Sequence, residues 1–437
     1  MPRRVIILGA AGRDYHNFNM FFRNSKLHKV VAFTRTQLPT KITPYPKVLA
    51  GKLYAKGIPI YPESQLTQLI KKFNVDVCVL AYSDLSYDYV MRKVAEVNAA
   101  GANFCMLGPK LTMLKSKKPV ISVCAVRTGC GKSQTSRKVV KLLKEKGKKV
   151  VVIRHPMPYG DLSKQIVQRF ASFKDLDKHK CTIEEREDYE PHIAMGSVVY
   201  AGVDYEKVLR QAEKEADIIV WDGGNNDFSF IKSDLHIVLA DPLRPGHEIA
   251  YYPGDINARM ADVVIINKVK AAKLKDIKTV EKNIKEINPK AKIIKASSPV
   301  SVDKPELIRG KKVLIIEDGP TLTHGEMSYG AGTVAAKKFR AKVAVDPKKY
   351  LTKNYKDALA KYPHLKGKKL LPAIGYSKTQ ILELQKIINK IPADSVILAT
   401  PTDLSRYLKL NKLSCHVKYE LKELTKPNLK QILKRFK

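Results

Sequence analysis

The stretch that most constrains the fold covers residues 119–154. An apolar run at 120–126 predicts a buried strand, a helix is predicted at 134–146, and a second apolar run at 149–153 predicts another strand. Between the first strand and the helix lies the loop Arg-Thr-Gly-Cys-Gly-Lys-Ser, residues 127–133. Its two glycines let backbone N–H groups approach phosphate oxygens, and the helix N-terminus adds partial positive charge. We therefore predict that this segment, the phosphate loop, binds phosphate within an α/β sheet.

The residues of the phosphate loop have predicted roles in binding a nucleoside triphosphate. Lys132 would reach the β- and γ-phosphates as a catalytic group, and Ser133 would hold Mg²⁺. The predicted nucleotide contacts are Thr128, Gly129, Cys130, Gly131, Lys132, Ser133 and Gln134. The thiol of Cys130 would have a lowered pKa beside Lys132 and the helix N-terminus, with a small packing residue as the plainer alternative. The predicted cofactors are ATP or GTP with Mg²⁺.

The loop departs from the commonest spacing, because Val126 stands five residues before Gly131, where a glycine is usual. It fits the variant T-G-x-G-K-S, which resembles dethiobiotin synthetase and its relatives. In related ATPases with a variant loop, a basic residue five positions before the lysine crosses a dimer interface to the partner's phosphates. Arg127 holds that position, so the resemblance implies a catalytic Arg127 and a homodimer. An arginine used within its own subunit is the alternative.

A second strand ends in the carboxylate that such a site needs. The run at 217–222 predicts a buried strand ending at Asp222, which would act in catalysis and coordinate Mg²⁺ directly or through water. Gly223 or Gly224 would approach the γ-phosphate. The candidates for orienting a nucleophile are the next three residues, Asn225, Asn226 and Asp227.

Basic residues past two other strand ends are predicted to clamp a small anionic substrate, since the carboxyl ends of parallel strands form the ligand edge of an open sheet. Arg154 and His155 follow the strand at 149–153 and are predicted to act in catalysis and substrate binding. Arg244 and His247 follow a predicted strand at 236–240 and are predicted substrate ligands. Arginine forks suit phosphate and carboxylate groups, so a phosphorylated acid is the expected substrate.

Two further glycine-rich turns are candidate anion sites. At the first, Gly9, Gly12 and Arg13 follow the first predicted strand and would bind a small anion, with NAD or a plain tight turn as alternatives. The second turn spans 318–332 ahead of a predicted helix, with Thr323 and His324 as candidate substrate ligands. A long structural loop is the alternative there.

The nucleotide base is predicted to lie near Asn267 and Lys268, which follow a predicted strand beginning at Ala261. Guanine-specific phosphate-loop proteins have Asn-Lys-x-Asp at this place, whereas this chain has Lys270 as the fourth residue. Lysine cannot accept hydrogen bonds from guanine N1 and N2. ATP is therefore at least as well supported as GTP.

Alternating strand and helix patterns predict an α/β fold with a mostly parallel sheet. We predict a Rossmann-like N-terminal domain at 1–112, a P-loop NTPase domain at 119–345 and a small C-terminal α/β extension at 346–437, with a linker at 108–119. The charge-dense segment at 174–190 is predicted to be mostly a solvated face.

Composition narrows the class of protein. The 437 residues include 80 Lys and Arg against 42 Asp and Glu, a net charge of +38. Nucleic acid is a possible partner, but the lysines are spread along the chain, and a solvated surface suited to a thermophilic archaeon is favoured. The six scattered cysteines include no C-x-x-C pair and so indicate neither a disulfide framework nor a zinc site. Without a signal peptide or an apolar run of about 20 residues, a cytoplasmic protein with no membrane partner is expected.

Several segments together resemble the archaeal and bacterial predicted GTPases related to cyclic 2,3-diphosphoglycerate synthetase. These segments are GAAGRDYHNFN, RTGCGKSQTSR, RHPMPYGDL, WDGGNNDF, DPLRPGHE, the NK after ADVVIIN, and DGPTLTHGEMSYGAG. The resemblance covers nearly the whole chain and implies an NTP-dependent ligase, synthetase or hydrolase of the same fold. The synthetase itself closes an intramolecular phosphoanhydride at the expense of ATP. A nucleotide-dependent switch or assembly factor acting on protein or RNA is the alternative, which the basic loops at strand ends disfavour.

Overall fold

The computed structural model describes residues 1–36, 43–155, 160–224, 227–374 and 378–436. Asn225 and Asn226, predicted to orient a nucleophile, lie outside the described residues. Three main sheets divide the described chain into an N-terminal unit (residues 3–112), a middle unit (120–297) and a C-terminal unit (300–419).

The N-terminal unit contains a five-stranded parallel sheet. The strands are β1 Arg3–Leu8, β2 His28–Arg35, β3 Ile60–Pro62, β4 Val77–Leu80, a two-residue β5 Leu85–Ser86, and β6 Asn103–Met106. The helices are α1 Arg13–Asn17, α2 Lys47–Ala50, α3 Leu66–Phe73, α4 Tyr87–Ala99 and α5 Pro109–Thr112. The sheet order is β3-β2-β1-β4-β6, so the order reverses at β1. The last four residues of β1 are buried because the central strand is covered on both faces.

The middle unit carries the phosphate loop on the largest sheet. Its strands are β7 Val120–Ala125, β8 Val150–Arg154, β9 Val167–Phe170, β10 Val198–Gly202, β11 Ile218–Asp222, β12 Leu235–Ala240, β13 Tyr251–Tyr252, β14 Val263–Ile266 and β15 Lys292–Ser297. Its helices are α6 Lys132–Lys144, α7 Phe173–Lys178, α8 Ile183–Ala194, α9 Tyr205–Ala212, α10 His247–Ala250, α11 Gly254–Met260 and α12 Leu274–Ile287. The order is β15-β14-β12-β7-β11-β8-β10-β9, parallel except for β9, while β13 pairs with β5. Every residue of β7 is buried, as the apolar run predicts for a central parallel strand.

The C-terminal unit begins earlier than the sequence predicts. Its strands are β16 Val300–Val302, β17 Lys312–Glu317, β18 Val343–Ala344, β19 Leu371–Pro372, β20 Ser395–Ala399 and β21 Leu413–Tyr419. Its helices are α13 Gly319–Leu322, α14 Ala331–Lys338, α15 Lys353–Ala360 and α16 Lys378–Lys390. The strand β17 lies within the predicted interval 119–345, but it pairs in parallel with β18, β19 and β20. The sheets therefore divide the chain near residue 298 instead of near 345.

The chain then returns to the middle unit. A last strand, β22 Lys422–Glu423, pairs antiparallel with β15, and a last helix, α17 Leu429–Ile432, follows it. Leu429 and Leu433 pack into the core of the middle unit. The α/β class with mostly parallel sheets is confirmed. Among the described residues, no helix combines the length and apolar character needed to cross a membrane.

The charge-dense segment is not a solvated face. Its second helix, α8, packs against β8, β10 and α6. A capping box between Thr182 and Glu185 starts the helix. Its buried residues are Glu185, Arg186, Glu187, Tyr189, Glu190, His192 and Ile193. Four of these side chains are charged at neutral pH in solution, so their burial needs partners or a function.

Candidate nucleotide and substrate site

The phosphate loop has the predicted geometry between β7 and α6. Gly129 and Gly131 have φ angles of +82° and +103°, which L side chains rarely adopt. The helix α6 begins at Lys132, and no side chain of the described residues caps its N-terminus. The loop therefore presents open N–H groups and a helix N-terminus, the arrangement that binds phosphate oxygens.

The N-terminal glycine turn, in contrast, is closed by its own chain. Asp14 Oδ1 accepts hydrogen bonds at 2.8–3.0 Å from three backbone N–H groups, those of Ala11, Gly12 and Tyr15. The structure thus corrects the anion site predicted at Gly9, Gly12 and Arg13, because an internal carboxylate already uses the donors of the turn. The correction also covers Arg13, whose Nε lies 2.8 Å from Asp227 Oδ1 and whose guanidinium stacks on Phe228 at 3.7 Å.

The second predicted anion site is closed in the same way. The carboxylate of Glu317 accepts hydrogen bonds at 2.7–3.1 Å from the N–H groups at the start of α14, those of Gly330, Gly332 and Thr333. Thr323 donates its hydroxyl to Gly319 O, and the carbonyl of His324 accepts from Arg127. Neither Thr323 nor His324 lines the phosphate loop's cavity, and Glu317 already caps the start of α14, so the anion site predicted at these two residues is corrected.

Lys132 and Asp222 meet at the carboxyl ends of β7 and β11. Lys132 Nζ lies 3.0 Å from Asp222 Oδ1, and Arg154 Nη1 lies 3.5 Å from the same oxygen. His192 Nε2 lies 3.0 Å from Asp222 Oδ2. Burial alone would raise the pKa of Asp222, but Lys132, Arg154 and His192 together hold that pKa well below its usual range. The carboxylate is therefore ionised, as a Mg²⁺ ligand must be.

Ser133 and Asp222 fit a Mg²⁺ ion that is shared with nucleotide phosphates. Ser133 lines the cavity beside the loop, and Asp222 supplies a hard, ionised oxygen. Within the described part of the chain, no three His, Cys, Asp or Glu side chains are grouped to hold a metal ion by themselves. Mg²⁺ commonly binds through one or two protein oxygens plus substrate phosphates, so the pair suffices.

Arg154 and His155, the predicted catalytic and substrate-binding residues, line the cavity. His155 Nδ1 lies 3.2 Å from Asp227 Oδ2, while Arg13 contacts the other oxygen of that carboxylate. Burial, then the charges of Arg154 and Arg13, lower the pKa of His155 well below its usual range, and burial raises the pKa of Asp227 to about 6. His155 is thus a neutral donor or acceptor and not a cationic clamp.

Other predicted ligands support the phosphate loop instead of facing a substrate. Arg244 donates to Thr128 O at 2.8 Å and to Gly325 O at 2.5 Å. Burial, then Arg127, lower the pKa of His247 to about 4, and His247 Nδ1 lies 2.8 Å from Arg127 Nη1. The predicted oxyanion clamp of Arg244 and His247 is therefore corrected to a structural brace.

Arg127 is buried among groups of its own chain. Its side chain is 1 % exposed, its Nε lies 2.6 Å from Asp84 Oδ1, and its guanidinium stacks on Tyr251 at 3.6 Å. Glu326 contacts the guanidinium from the C-terminal unit at 3.1 Å. These contacts match the intrasubunit alternative for Arg127.

The two residues predicted to lie near the nucleotide base, Asn267 and Lys268, also donate hydrogen bonds to the phosphate loop. Asn267 Nδ2 donates to Cys130 O at 2.9 Å, and Lys268 Nζ donates to Gly129 O at 2.7 Å. Burial raises the pKa of the Cys130 thiol to about 11, so this thiol is a packing group and not a reactive one. Lys270 lies in the lining of the cavity.

A central cavity of about 500 Å³ opens from the phosphate loop. The predicted site residues that line it are Arg127, Thr128, Gly129, Gly131, Lys132, Ser133, Gln134, Arg154, His155 and Lys268. Those that do not line it are Cys130, Asp222, Gly223, Asn267, Arg244, His247, Thr323, His324, Gly9, Gly12 and Arg13. The glycine following Asp222 that does reach the cavity is Gly224, where an added Cβ would lie 2.8 Å from His155.

Four carboxylates in the lining were not predicted. We call them the acidic wall: Glu184, Glu187, Asp188 and Asp318. The first three lie on α8, and Asp318 begins α13. The spacing of Glu184, Asp188 and His192, four residues apart, places them on one helix face. That spacing could have indicated a shared functional face on α8, but the many other charged residues of the segment made it hard to recognise.

The fold and this site define a P-loop nucleotide-binding protein of the α/β class. A family model described as the P-loop domain of cyclic 2,3-diphosphoglycerate synthetase matches residues 193–297, which include Asp222 and Asn267. Arginine synthetase ArcE of Thermococcus kodakarensis is 60% identical over 432 residues, 99% of this chain and 96% of the relative. Cyclic 2,3-diphosphoglycerate synthetase of Thermococcus sibiricus is 24% identical over 60% of this chain and 65% of the relative.

The chain therefore belongs to the cyclic 2,3-diphosphoglycerate synthetase-like family, and it is a nucleoside-triphosphate-dependent ligase or synthetase. Among solved structures, LpxK from Aquifex aeolicus in complex with ATP aligns with 85% of this chain and 99% of its own, at 16% identity and a TM-score of 0.46.

Proposed function

We propose that the protein uses ATP, with GTP as the alternative nucleotide, to form arginine from a ureido precursor. The observation that carries this proposal is the acidic wall beside the open phosphate loop. Carboxylates attract N–H-rich guanidino and ureido groups and repel a phosphorylated acid. The relative that is 60% identical carries the name arginine synthetase, which agrees with this chemistry.

In this proposal the phosphate loop holds the triphosphate, and Lys132 turns from Asp222 to the β- and γ-phosphates. Ser133 and Asp222 would hold Mg²⁺, which neutralises charge on the transferring phosphoryl group. Arg154 lines the cavity while anchored to Asp222 O and Gly223 O at 2.8 and 2.6 Å. Its fixed charge would stabilise the phosphoryl group as it moves.

The reaction consists of two displacements. The ureido oxygen attacks the γ-phosphorus, the bond to the β,γ-bridging oxygen breaks, and the nucleoside diphosphate leaves. Ammonia then attacks the activated carbon, and the C–O bond breaks so that inorganic phosphate leaves with its electron pair. Two of the three ammonia protons stay on the product nitrogen and one leaves with phosphate, so the products are a guanidinium group, a nucleoside diphosphate and orthophosphate.

The test compares acceptors under identical conditions. ATP or GTP with Mg²⁺ is incubated with citrulline and ammonium, or with 2,3-diphosphoglycerate, and products are followed by phosphorus NMR and amino-acid chromatography. We expect arginine, nucleoside diphosphate and orthophosphate in equal amounts. ATP should be preferred to GTP, because Lys270 cannot accept hydrogen bonds from guanine. A cyclic diphosphoglycerate signal without arginine would replace this proposal with the activity named for the more distant relatives.

A variant pair ties the activity to the site. Lys132→Ala is expected to lower kcat about 100- to 1,000-fold, the usual loss for a group that stabilises transferring charge. Lys138→Ala is the matched control, because Lys138 lies on the same helix but contacts Glu423. Full activity of Lys132→Ala would place the reaction elsewhere.

A further inference from the structure

Glu187 is a buried carboxyl group that has no partner among the described residues. It lines the central cavity and is 9 % exposed. It has no hydrogen bond or ion pair with any described residue, whereas its neighbours Asp188 and Glu190 contact Arg154 and Arg186. A carboxylate that is nine-tenths buried normally has such a partner, since burial penalises an unpaired charge. The site therefore lacks a group that would satisfy Glu187.

The surroundings of Glu187 specify the charge of the missing group. Burial, then the negative charges of Asp318, Glu184 and Asp188, raise the pKa of Glu187 well above its usual range. Burial, then Asp188 and Glu317, raise the pKa of Asp318 to about 6. A cation bound beside these two carboxyl groups would therefore stabilise their ionised forms.

An organic cation fits this space better than a metal ion. No three metal-ligating side chains are grouped among the residues described. The same cavity is lined by carbon-rich side chains, those of Met327, Tyr329, Val334 and Tyr419. A planar group with several N–H donors and an aliphatic stem would satisfy both kinds of lining, because carboxylates bind guanidinium through paired hydrogen bonds.

The position of the acidic wall relative to the phosphate loop is fixed by one chain of contacts. Asp188 Oδ2 lies 2.5 Å from Arg154 Nη2, Arg154 contacts Asp222, and Asp222 contacts Lys132. Glu187, one residue before Asp188 on α8, lines the same cavity as the end of the phosphate loop, so a group held by Glu187 would share that cavity with the bound phosphates. That is where the γ-phosphoryl group would be transferred.

We propose that Glu187 and Asp318 form the subsite that binds the guanidino group of the product and the ureido group of the precursor. This assignment rests on the proposed function, because it identifies the substrate contacts of the same site. Glu187 accepts two N–H groups of the planar head, and Asp318, held by Thr321 N at 3.2 Å, accepts a third.

The experiment uses the full-length protein with MgADP bound and L-arginine as the probe. Glu187→Gln and Asp318→Asn keep the size of each side chain and remove its charge. Each is expected to weaken arginine binding, measured by calorimetry, about 10- to 100-fold, the range for losing a hydrogen bond to a charged group. The affinity for MgADP should stay within about twofold, because neither carboxyl belongs to the phosphate loop.

Glu190→Gln is the matched control. Glu190 is buried on the same helix but contacts Arg186 and Tyr407 instead of the cavity. Its arginine affinity should equal that of the wild type, and thermal melting checks that all three variants are folded. A loss of arginine affinity in this control equal to that of Glu187→Gln would overturn the assignment.

The outcomes separate the two proposals. If the wild type forms arginine and both cavity variants bind it normally, the subsite assignment is overturned and the proposed function stands. If the wild type binds arginine without forming it, and the variants weaken that binding, the subsite is supported and the proposed reaction fails. If the wild type neither binds nor forms arginine, both proposals are overturned.

Discussion

Three side chains contact Asp222, namely Lys132, Arg154 and His192. In the proposed reaction Lys132 would leave Asp222 to reach the phosphates, whereas Arg154 and His192 would stay. His192 is 2 % exposed and its Nε2 lies 3.0 Å from Asp222 Oδ2. It does not line the cavity, so in the proposed site it would be a positioning residue that orients Asp222 from behind.

The first prediction concerns this orientation. His192→Ala should raise the Mg²⁺ concentration needed for half-maximal activity about tenfold, the usual effect of losing a group that orients a metal ligand. Activity at saturating Mg²⁺ should recover most of the wild-type value, which a variant with general damage would not do. The measurement is a Mg²⁺ titration at saturating ATP. His28→Ala, in the N-terminal unit, is the control, and an unchanged Mg²⁺ requirement in His192→Ala would contradict the prediction.

The second prediction concerns how much the acidic wall lowers the folding stability of the ligand-free protein. The titratable groups around Asp318 are Asp188, Glu187, Glu317 and Tyr419. Burial, then Asp188 and Glu317, raise the pKa of Asp318 from 3.8 to about 6. The ionised form therefore destabilises the fold above about pH 6, and this cost disappears as the pH falls from about 6 towards 3.8.

Asp318→Asn should accordingly raise the melting temperature at pH 8, since asparagine can still accept the hydrogen bond from Thr321 N. The gain should be constant above pH 7 and decline between about pH 6 and pH 4. Calorimetric melting across this pH range measures it, with the exposed Asp357→Asn as control. A gain that grows on acidification would contradict the sign.

At the scale of elements, glycine-rich turns and helix starts look alike in sequence, but they differ in whether a side chain of the same protein already binds their N–H groups. Of the three glycine-rich segments predicted to bind anions, two bind carboxylates of their own chain, Asp14 and Glu317. The phosphate loop alone, among the three, has no capping side chain. An element's ability to bind an anion thus depends on whether a neighbouring residue already caps it.

The third prediction tests this at α14. Glu317→Ala removes the acceptor for three N–H groups and should cost about 2 kcal/mol of folding stability, as for losing a strong helix cap. Sulfate should then restore part of the melting temperature by binding the vacated helix start. The restoration is measured against sodium chloride of equal ionic strength.

Because sulfate also stabilises proteins in general, the comparison is between variants. The gain from sulfate should be larger in Glu317→Ala than in the wild type or in Glu306→Ala, whose side chain is exposed. Equal gains in all three proteins would show that the helix start binds no anion.

The elements that were predicted correctly are those whose structure depends on residues close together in the sequence. The phosphate loop depends on two glycines with positive φ and on a helix that starts at Lys132, all within seven residues. The burial of α8 depends instead on which strands it packs against. Its many charged residues are typical of a solvated helix, so the sequence did not predict this burial. The boundary near residue 298 was missed for a similar reason, because β17 pairs with β20, about 80 residues later in the chain.

At the scale of the whole molecule, the three units meet at Arg127. Asp84 reaches it from the N-terminal unit, Tyr251 stacks on it from the middle unit, and Glu326 reaches it from the C-terminal unit. Asp84 also accepts the hydroxyl hydrogen of Thr128 at 2.9 Å. Contacts from all three units therefore hold Arg127 and Thr128, the first two residues of the phosphate loop.

This arrangement leads to the fourth prediction, which separates the two roles of Arg127. If Arg127 acted across a homodimer, mixing Arg127→Ala with Lys132→Ala subunits would create some sites with both residues intact. A random mixture would then recover about a quarter of wild-type activity, because half of the dimers are mixed and each has one complete site.

The contacts within the chain predict no recovery. Arg127 is 1 % exposed and is held by three neighbours of its own subunit, so each subunit must supply both residues itself. Co-expressed, differently tagged variants, purified through both tags, provide the mixed species, and ATP turnover is the readout. Co-expressed wild-type subunits carrying the same two tags control for the purification. Recovery near a quarter in the unselected mixture, or near half in doubly tagged dimers, would show that Arg127 crosses to a partner.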